Sequence, residues 1–301
     1  MTSGAEAAAP RAVIVVSSHV ARGSVGNRAA VFALETLGHP VWAVPTVILP
    51  WHPGHGRATR IVPPTEQFEA LMADLERAPW LGEVTAVLSG YLGEPGQVAA
   101  VASLVKAVKA RNEKALYVCD PVIGDKGGLY VAEALAQGMR DQLLPLADIA
   151  TPNRYELEWL TDAKLDDMRA TMAAALAAPP PTMLVTSAPA MMANGTGNLL
   201  VTQTQALLAE HRTVERPPNG LGDLSAAVFL ARLLAGQPMA KALQSTTAAV
   251  YEILARTSKR GGDELQLETD AQSLSHPMAQ VELRTLIHPS RSRKAGAEPG
   301  V

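Results

Sequence analysis

The chain has 301 residues, 48% of them hydrophobic and 18% charged, enough apolar material for a sizeable core in one or two domains. A net charge of -3 excludes a basic surface for nucleic acid and an acidic solvating block, which leaves a small molecule as the default partner. One cysteine, Cys119, excludes an intrachain disulfide and any cysteine-rich metal site, and no apolar run approaches a membrane span, so a cytoplasmic protein without a membrane partner is expected.

Residues 1–10 and 289–301 are small and polar and are expected to be disordered around one folded region at 11–288. Within it, the apolar run at 12–16 is too short for a helix and reads as a strand covered on both faces, ending in Ser17-Ser18-His19. After Gly23-Ser24-Val25-Gly26-Asn27, the spacing of Ala30, Val31, Leu34 and Leu37 predicts a helix that closes at Gly38. A strand at 41–47 and a loop from Trp51 to Gly56 follow, then a helix from Thr65 and Glu66 carrying Phe68, Leu71, Met72 and Leu75.

Three further strand, turn and helix units come next. Strand 84–88 leads through Ser89-Gly90-Tyr91 to a helix at 95–110. Strand 115–119 leads through Asp120-Pro121-Val122-Ile123-Gly124-Asp125 to a helix at 131–143. Strand 149–150 leads through Thr151-Pro152-Asn153 to a helix reaching Leu160. An alanine-rich helix at 166–177 is stopped by Pro179, Pro180 and Pro181, and a strand at 183–185 ends in Thr186-Ser187. Segments 198–202 and 206–211 are too close for a crossover and form an antiparallel ribbon. Gly220-Leu221-Gly222-Asp223 then opens an apolar helix, and a last helix spans 239–256.

Alternation of this kind predicts an α/β fold with a central, mostly parallel sheet and helices on both faces. Ligands of such sheets gather at the carboxyl ends of the strands. Ser18, Thr46, Tyr91, Asp120, Asn153 and Asp223 would all meet at that edge.

The glycine turn is the organising stretch. Its two glycines allow a tight backbone close to a ligand, and the first N–H groups of the helix, with the helix dipole, favour an anion such as a phosphate. Asp223 beside that site has the chemistry of a base toward a hydroxyl nucleophile. The ordinary alternative is a first-turn cap. Asn153 and Glu156, three apart at a helix start, either hold Mg²⁺ through water or form a capping box. Asp120 and Asp125 flank a strand-end loop, where Asp120 serves a cation or nucleotide or simply begins an Asp-Pro turn. His52 and His55 have no third ligand near in sequence, so a metal site there is disfavoured. No Walker phosphate loop is present, which leaves nucleotide phosphates to the glycine turn.

Together these segments resemble the pyridoxal kinase family of the ribokinase-like superfamily. The resemblance is carried by Ser18-His19-Val20 with Gly23, Gly26 and Asn27; Val41-Trp42, Thr46-Val47 and His52; Leu88-Ser89-Gly90-Tyr91-Leu92-Gly93; Tyr117-Val118-Cys119-Asp120-Pro121-Val122; Thr151-Pro152-Asn153 with Glu156; and Gly220-Leu221-Gly222-Asp223. It spans residues 11–258 and implies a ribokinase-like fold, with the antiparallel ribbon near the nucleotide side. It also implies ATP-dependent phosphorylation of the 5′-hydroxymethyl group of pyridoxal, pyridoxine or pyridoxamine with Mg²⁺, often with K⁺, by a homodimer.

Carried over residue by residue, Asp223 is the base, and the N–H groups of Gly220, Leu221 and Gly222 form the anion hole. Ser18 and Thr46 contact the vitamin ring, with Val20, His52 and Tyr91 lining its pocket. Asp120, Asn153, Thr151 and Glu156 serve ATP and the cations, and Thr186-Ser187 lie at the nucleotide strand end. The chain departs from the family at Leu221, where relatives often carry Thr, at Pro217-Pro218-Asn219 before the turn, and in the short lid segment 125–130. A hydroxymethylpyrimidine kinase of the same superfamily remains an alternative, opposed by the Ser-His-Val and Ser-Gly-Tyr segments. A non-catalytic vitamin B6 carrier is a third, opposed by the presence of Asp223, Asn153 and Glu156.

Overall fold

The apolar run that opens the chain lies in strand β1 (Ala12–Val20). In the computed structural model, which describes residues 12–289, its side chains alternate between two cores: Ala12, Ile14 and Val16 enter one, Val13 and Val15 the other. The segments expected to be disordered lie outside the described residues, Pro289 excepted. A strand apolar at every position needs a cover on each face, and the chain supplies both with helices. The first cover comprises α1 (Asn27–Thr36), α7 (Leu221–Leu234), α8 (Met239–Lys259) and the short α9 (Ala271–Ser275). On the opposite face lie α2 (Thr65–Glu76), α3 (Gln97–Arg111), α4 (Glu133–Gly138), α5 (Arg154–Thr161) and α6 (Met168–Ala177).

The other strands of the main sheet are β2 (Val41–Leu49), β3 (Val84–Ser89), β4 (Leu116–Cys119), β7 (Ile149–Ala150), β8 (Thr182–Pro189), β9 (Gly195–Thr202), β10 (Ala206–Arg212) and β11 (Glu282–Thr285). Two-residue strands β5 (Gly124–Asp125) and β6 (Gly128–Leu129) form a separate ribbon. The nine-stranded sheet has the order β11-β10-β9-β8-β7-β4-β3-β1-β2. From β2 to β8 the neighbours are parallel, and β9, β10 and β11 each run antiparallel to the strand before them in the chain. The fold is therefore the expected mostly parallel α/β sheet with helices on both faces and an antiparallel extension. Among the described residues no helix is long and apolar enough to cross a membrane.

Several elements run longer than the sequence pattern, β8 and β9 among them, and three departures have identifiable reasons. β1 continues through Ser17, Ser18 and His19, because β2 also continues and the two stay paired across a register shift beside Pro45, which has no N–H to donate. The helix expected at 131–143 starts at Glu133 and widens at Met139–Leu143, where the chain approaches Pro145. β11 went unpredicted: its Glu-Leu-Arg-Thr run is polar and short, and it becomes a strand by pairing with β10.

Candidate active site

The carboxyl ends of the parallel strands and the start of α7 enclose a cleft of about 520 Å³. β1 contributes Ser18 and Val20, the segment after β2 contributes His52, and Tyr91 and Asp120 follow β3 and β4. Thr151, Asn153 and Glu156 come from the junction of β7 and α5, Thr186 and Ser187 from β8, and Gly220, Gly222 and Asp223 from the head of α7. Parallel topology explains why residues so distant in sequence meet here: every crossover delivers its strand end to the same edge.

Gly220 caps α7 with φ +93°, and a Cβ there would sit 2.1 Å from the carbonyl oxygen of Ser24. Both the left-handed backbone and the close approach require glycine. A Cβ on Gly222, by contrast, would meet no protein atom within 4 Å, so that face of the turn is open toward the cleft it lines. Leu221, Gly222 and Asp223 are the first three residues of α7, whose N–H groups lack partners within the helix. Their dipole end points a partial positive charge at the cleft.

Four carboxylates line it, Asp120, Asp125, Glu156 and Asp223, and burial shifts three of them. Asp120, 4% exposed, accepts the Thr151 hydroxyl at 2.8 Å. Burial raises its pKa well above the usual carboxylate range, and the negative charges of Asp223 and Glu156 add to the rise. Burial lifts Asp223 to about 6, against the nearby Gly26 N–H, which favours its charged form. Burial likewise lifts Glu156 to about 7, against three N–H bonds that favour its charged form: from Ile123 at 2.9 Å, Gly124 at 3.4 Å and Asn153 at 2.9 Å.

The capping box is real: Asn153 Oδ1 accepts the Glu156 N–H at 2.9 Å while Glu156 accepts the Asn153 N–H. The same side chains also wall the cleft, so cap and site coincide. Asn153 gives its amide to the Gly124 carbonyl at 2.8 Å and Glu156 holds the N–H groups of Ile123 and Gly124, so the pair pins the turn after Val122. Val122 sits at φ +42°, a conformation that costs a β-branched residue about 1–3 kcal/mol and must be held by its surroundings.

Thr46 and Leu221 do not line the cleft. Thr46 is fully buried, and its hydroxyl donates to the Tyr91 carbonyl at 2.7 Å, so it supports the wall rather than forming it. His52 does line it, with Nδ1 accepting the Gly54 N–H at 3.0 Å, whereas His55 turns away to Glu264 at 2.8 Å. Sequence reasoning missed Val25, Arg60, Val122, Tyr130 and Asn219, all of which line the cleft. Arg60 and Tyr130 sit in segments without periodic pattern. The Gly23-to-Gly26 stretch carried a signal, its two glycines, that points to close backbone approach.

Among the described residues no three His, Cys, Asp or Glu side chains are close enough to enclose a metal ion. The donors present, Asp120 and Glu156 beside an anion-binding turn, suit a cation that keeps most of its waters and takes phosphate oxygens, the habit of Mg²⁺. A second depression, about 630 Å³ at α8 and α9, is lined by Glu252 and Arg256, which already pair at 2.6 Å.

A family model described as phosphomethylpyrimidine kinase matches residues 55–267. A pyridoxal kinase of Rubrobacter xylanophilus is 37% identical over 279 residues, covering 90% of this chain and 96% of that protein. One of Corynebacterium diphtheriae is 33% identical, covering 91% of this chain and 99% of its own length. Among solved structures, pyridoxal kinase from Leishmania donovani in complex with ADP and pyridoxamine superposes with a TM-score of 0.86 at 29% identity, covering 92% of this chain and 100% of that one. The same enzyme with ADP and pyridoxine gives a TM-score of 0.85, covering 92% of this chain and 99% of that one.

Proposed function

The chain belongs to the pyridoxal kinase family of the ribokinase-like superfamily and is a kinase, and from that premise we propose that it transfers the γ-phosphoryl group of ATP to the 5′-hydroxymethyl group of pyridoxal and related B6 vitamers. The observation that carries the proposal is Asp223: a half-buried carboxylate that lines the cleft at the head of α7 beside an open glycine turn, with its pKa raised to about 6.

In the reaction Asp223 accepts the proton of the 5′-hydroxyl as that oxygen forms its bond to the γ-phosphorus. The bond from phosphorus to the bridging oxygen breaks, and its electron pair leaves with ADP. Positioning and electrostatics suffice for such a transfer. The N–H groups of Gly220, Leu221 and Gly222 stabilise charge on the moving group, and Leu221 serves equally well as the Thr of many relatives because only its backbone is used. Ser18, Val20, His52 and Tyr91 enclose the vitamin ring, and Thr46 acts behind Tyr91. Thr186, Ser187 and Asn219 border the nucleotide side. The β5–β6 ribbon, tightened by the Gly127 N–H bond to Asp125 at 2.7 Å and followed by Tyr130, is the short lid.

Asp120 and Glu156 would hold Mg²⁺, and the ion would supply neutralisation of the charge on the transferred group. The Thr151 hydroxyl and the Asn153 backbone N–H position those two carboxylates. K⁺ as a further activator, a cytoplasmic homodimer and a single kinase domain over 11–288 complete the proposal.

Hydroxymethylpyrimidine is the competing substrate, since the matching family model is described as phosphomethylpyrimidine kinase, which points to a related pyrimidine, and the same base and turn would serve a primary alcohol on that ring. Pyridoxal and hydroxymethylpyrimidine assayed side by side with ATP, magnesium and potassium decide between them. Formation of pyridoxal 5′-phosphate is expected. Turnover of the pyrimidine alone would overturn the substrate, and pyridoxal binding without turnover would leave a carrier.

A further inference from the structure

We propose that Glu264, about 40 residues beyond the catalytic turn, is a positioning residue that clasps the two loops bordering the acceptor side of the cleft. The proposal rests on the kinase reading above.

Glu264 is 8% exposed, and two separate parts of the chain, residues 22–24 and His55, meet its carboxylate. Oε2 accepts the Ser24 N–H at 3.4 Å, Oε1 meets His55 Nε2 at 2.8 Å, and Arg22 Nη1 approaches Oε1 at 3.8 Å. It also packs on the α-carbon of Gly23, where a Cβ would lie 2.6 Å from Oε1 and the backbone has φ +109°. The neighbouring residue reinforces the clasp, since the Ser24 hydroxyl donates to the Leu265 carbonyl at 2.8 Å.

The turn held in this way touches the chemistry directly. The Ser24 carbonyl oxygen lies 2.1 Å from where a Gly220 Cβ would be, Val25 lines the cleft, and the Gly26 N–H is near enough to the Asp223 carboxylate to favour its charged form. The second loop behaves alike. His55 belongs to the turn that starts at His52, which lines the cleft, and a Cβ on Gly54 would sit 3.2 Å from Asn219 Nδ2, next to the anion turn. Glu264 thus sets the distance between vitamin pocket, base and phosphoryl site without touching substrate, through Gly26 on one side and His52 on the other. A misplacement of about 1 Å in such an arrangement lowers rate by about 100-fold.

Steady-state kinetics with pyridoxal and ATP, with pyridoxal binding by calorimetry, test this on the full-length protein. Glu264→Ala is expected to lower kcat by about 10- to 100-fold and raise KM for pyridoxal, leaving KM for ATP within about twofold. Glu264→Gln keeps the acceptor for Ser24 and is expected to restore most of kcat. His55→Ala frees only the second loop and is expected to raise KM and Kd for pyridoxal several-fold at unchanged kcat. Wild-type kinetics in Glu264→Ala, with only a lowered Tm, would overturn the proposal. Should that variant fail to fold, wild-type KM and Kd for pyridoxal in both Glu264→Gln and His55→Ala would overturn it. A wild-type protein that makes no pyridoxal 5′-phosphate removes the kinase reading itself, a result distinct from active enzyme with indifferent variants.

Discussion

Two groups of carboxylates in this molecule meet burial in opposite ways. At the cleft, burial raises Asp120, Glu156 and Asp223, and no arginine or lysine pairs with any of them among the ion pairs of the described residues. Behind α8 and along the β10 edge, burial pushes on Glu252 and Glu210 in the same direction, yet both end below the ordinary carboxylate value. Glu210 accepts from Arg284 and from the N–H groups of Met191 and Met192, and Glu252 from Ala279, Met278, Ser273 and Arg256. The second group fastens β11, the β8–β9 turn and the segment after α9 to the body of the protein. Its charges are met internally. The first group is left for a ligand to meet, which is how a site differs from a staple made of the same side chain.

The strongest way to break this contrast is Asp223→Asn. Turnover is expected to fall by about two to four orders of magnitude, the usual contribution of a positioned base. Pyridoxal binding and Tm should be retained, because no internal cation loses its partner. Near wild-type turnover would return Asp223 to the role of a helix cap. The same residue predicts that kcat/KM falls as pH drops through about 6, where the carboxylate takes up its proton in the free enzyme.

Glu210→Ala should do the reverse. Removing the acceptor leaves Arg284 and two backbone N–H groups without it, at a cost of about 1–3 kcal/mol in unfolding free energy, with kcat unchanged below the transition. Urea titration beside activity measures both. Loss of activity in the folded variant would show that the antiparallel edge takes part in catalysis.

Glu156→Gln sharpens the contrast at its most ambiguous residue, which is cap and cleft wall at once. The magnesium requirement is expected to rise about tenfold, with a modest fall in Tm from the lost N–H acceptor. An unchanged magnesium titration would leave Glu156 as a cap alone.

What the sequence made legible follows from the range of each interaction. Strand and helix periodicity is local, so the βαβ alternation, the glycine turn and the 153–156 cap were readable, and parallel topology then placed most polar strand ends together. The segment 282–285 has no local signal, since its strand exists only against β10. Thr46 shows the limit of a strand-end rule: one residue's rotation in the pleat gives its hydroxyl to Tyr91 instead of the cleft. Glu264 acts on Ser24 across 240 residues, and no window of sequence contains both. The raised pKa values were equally invisible, because they arise from burial beside other carboxylates and not from any residue's neighbours in the chain.

The smallest expected effect tests the electrostatics alone. Asp223 and Glu156 bind protons more tightly folded, near 6 and 7, than in the unfolded chain, where ordinary values near 4 apply. The folded state therefore carries more protons between about pH 4 and 7. Stability from these groups is then fully present below about pH 4 and is lost as pH rises through that window. A magnesium nucleotide favours the ionised carboxylates, so its stabilisation of the protein should be larger at pH 7.5 than at pH 5.5, by a few degrees in Tm. The nucleotide's own titration contributes to that difference, but it is common to every variant. Asp120→Asn keeps an acceptor for Thr151 while removing one negative charge from the cluster. It should raise the Tm of the ligand-free protein at pH 7.5 and narrow the gap between the two pH values. If wild type and Asp120→Asn respond identically at both, the cleft carboxylates do not repel one another as their burial requires, and the contrast between the two regions reduces to packing.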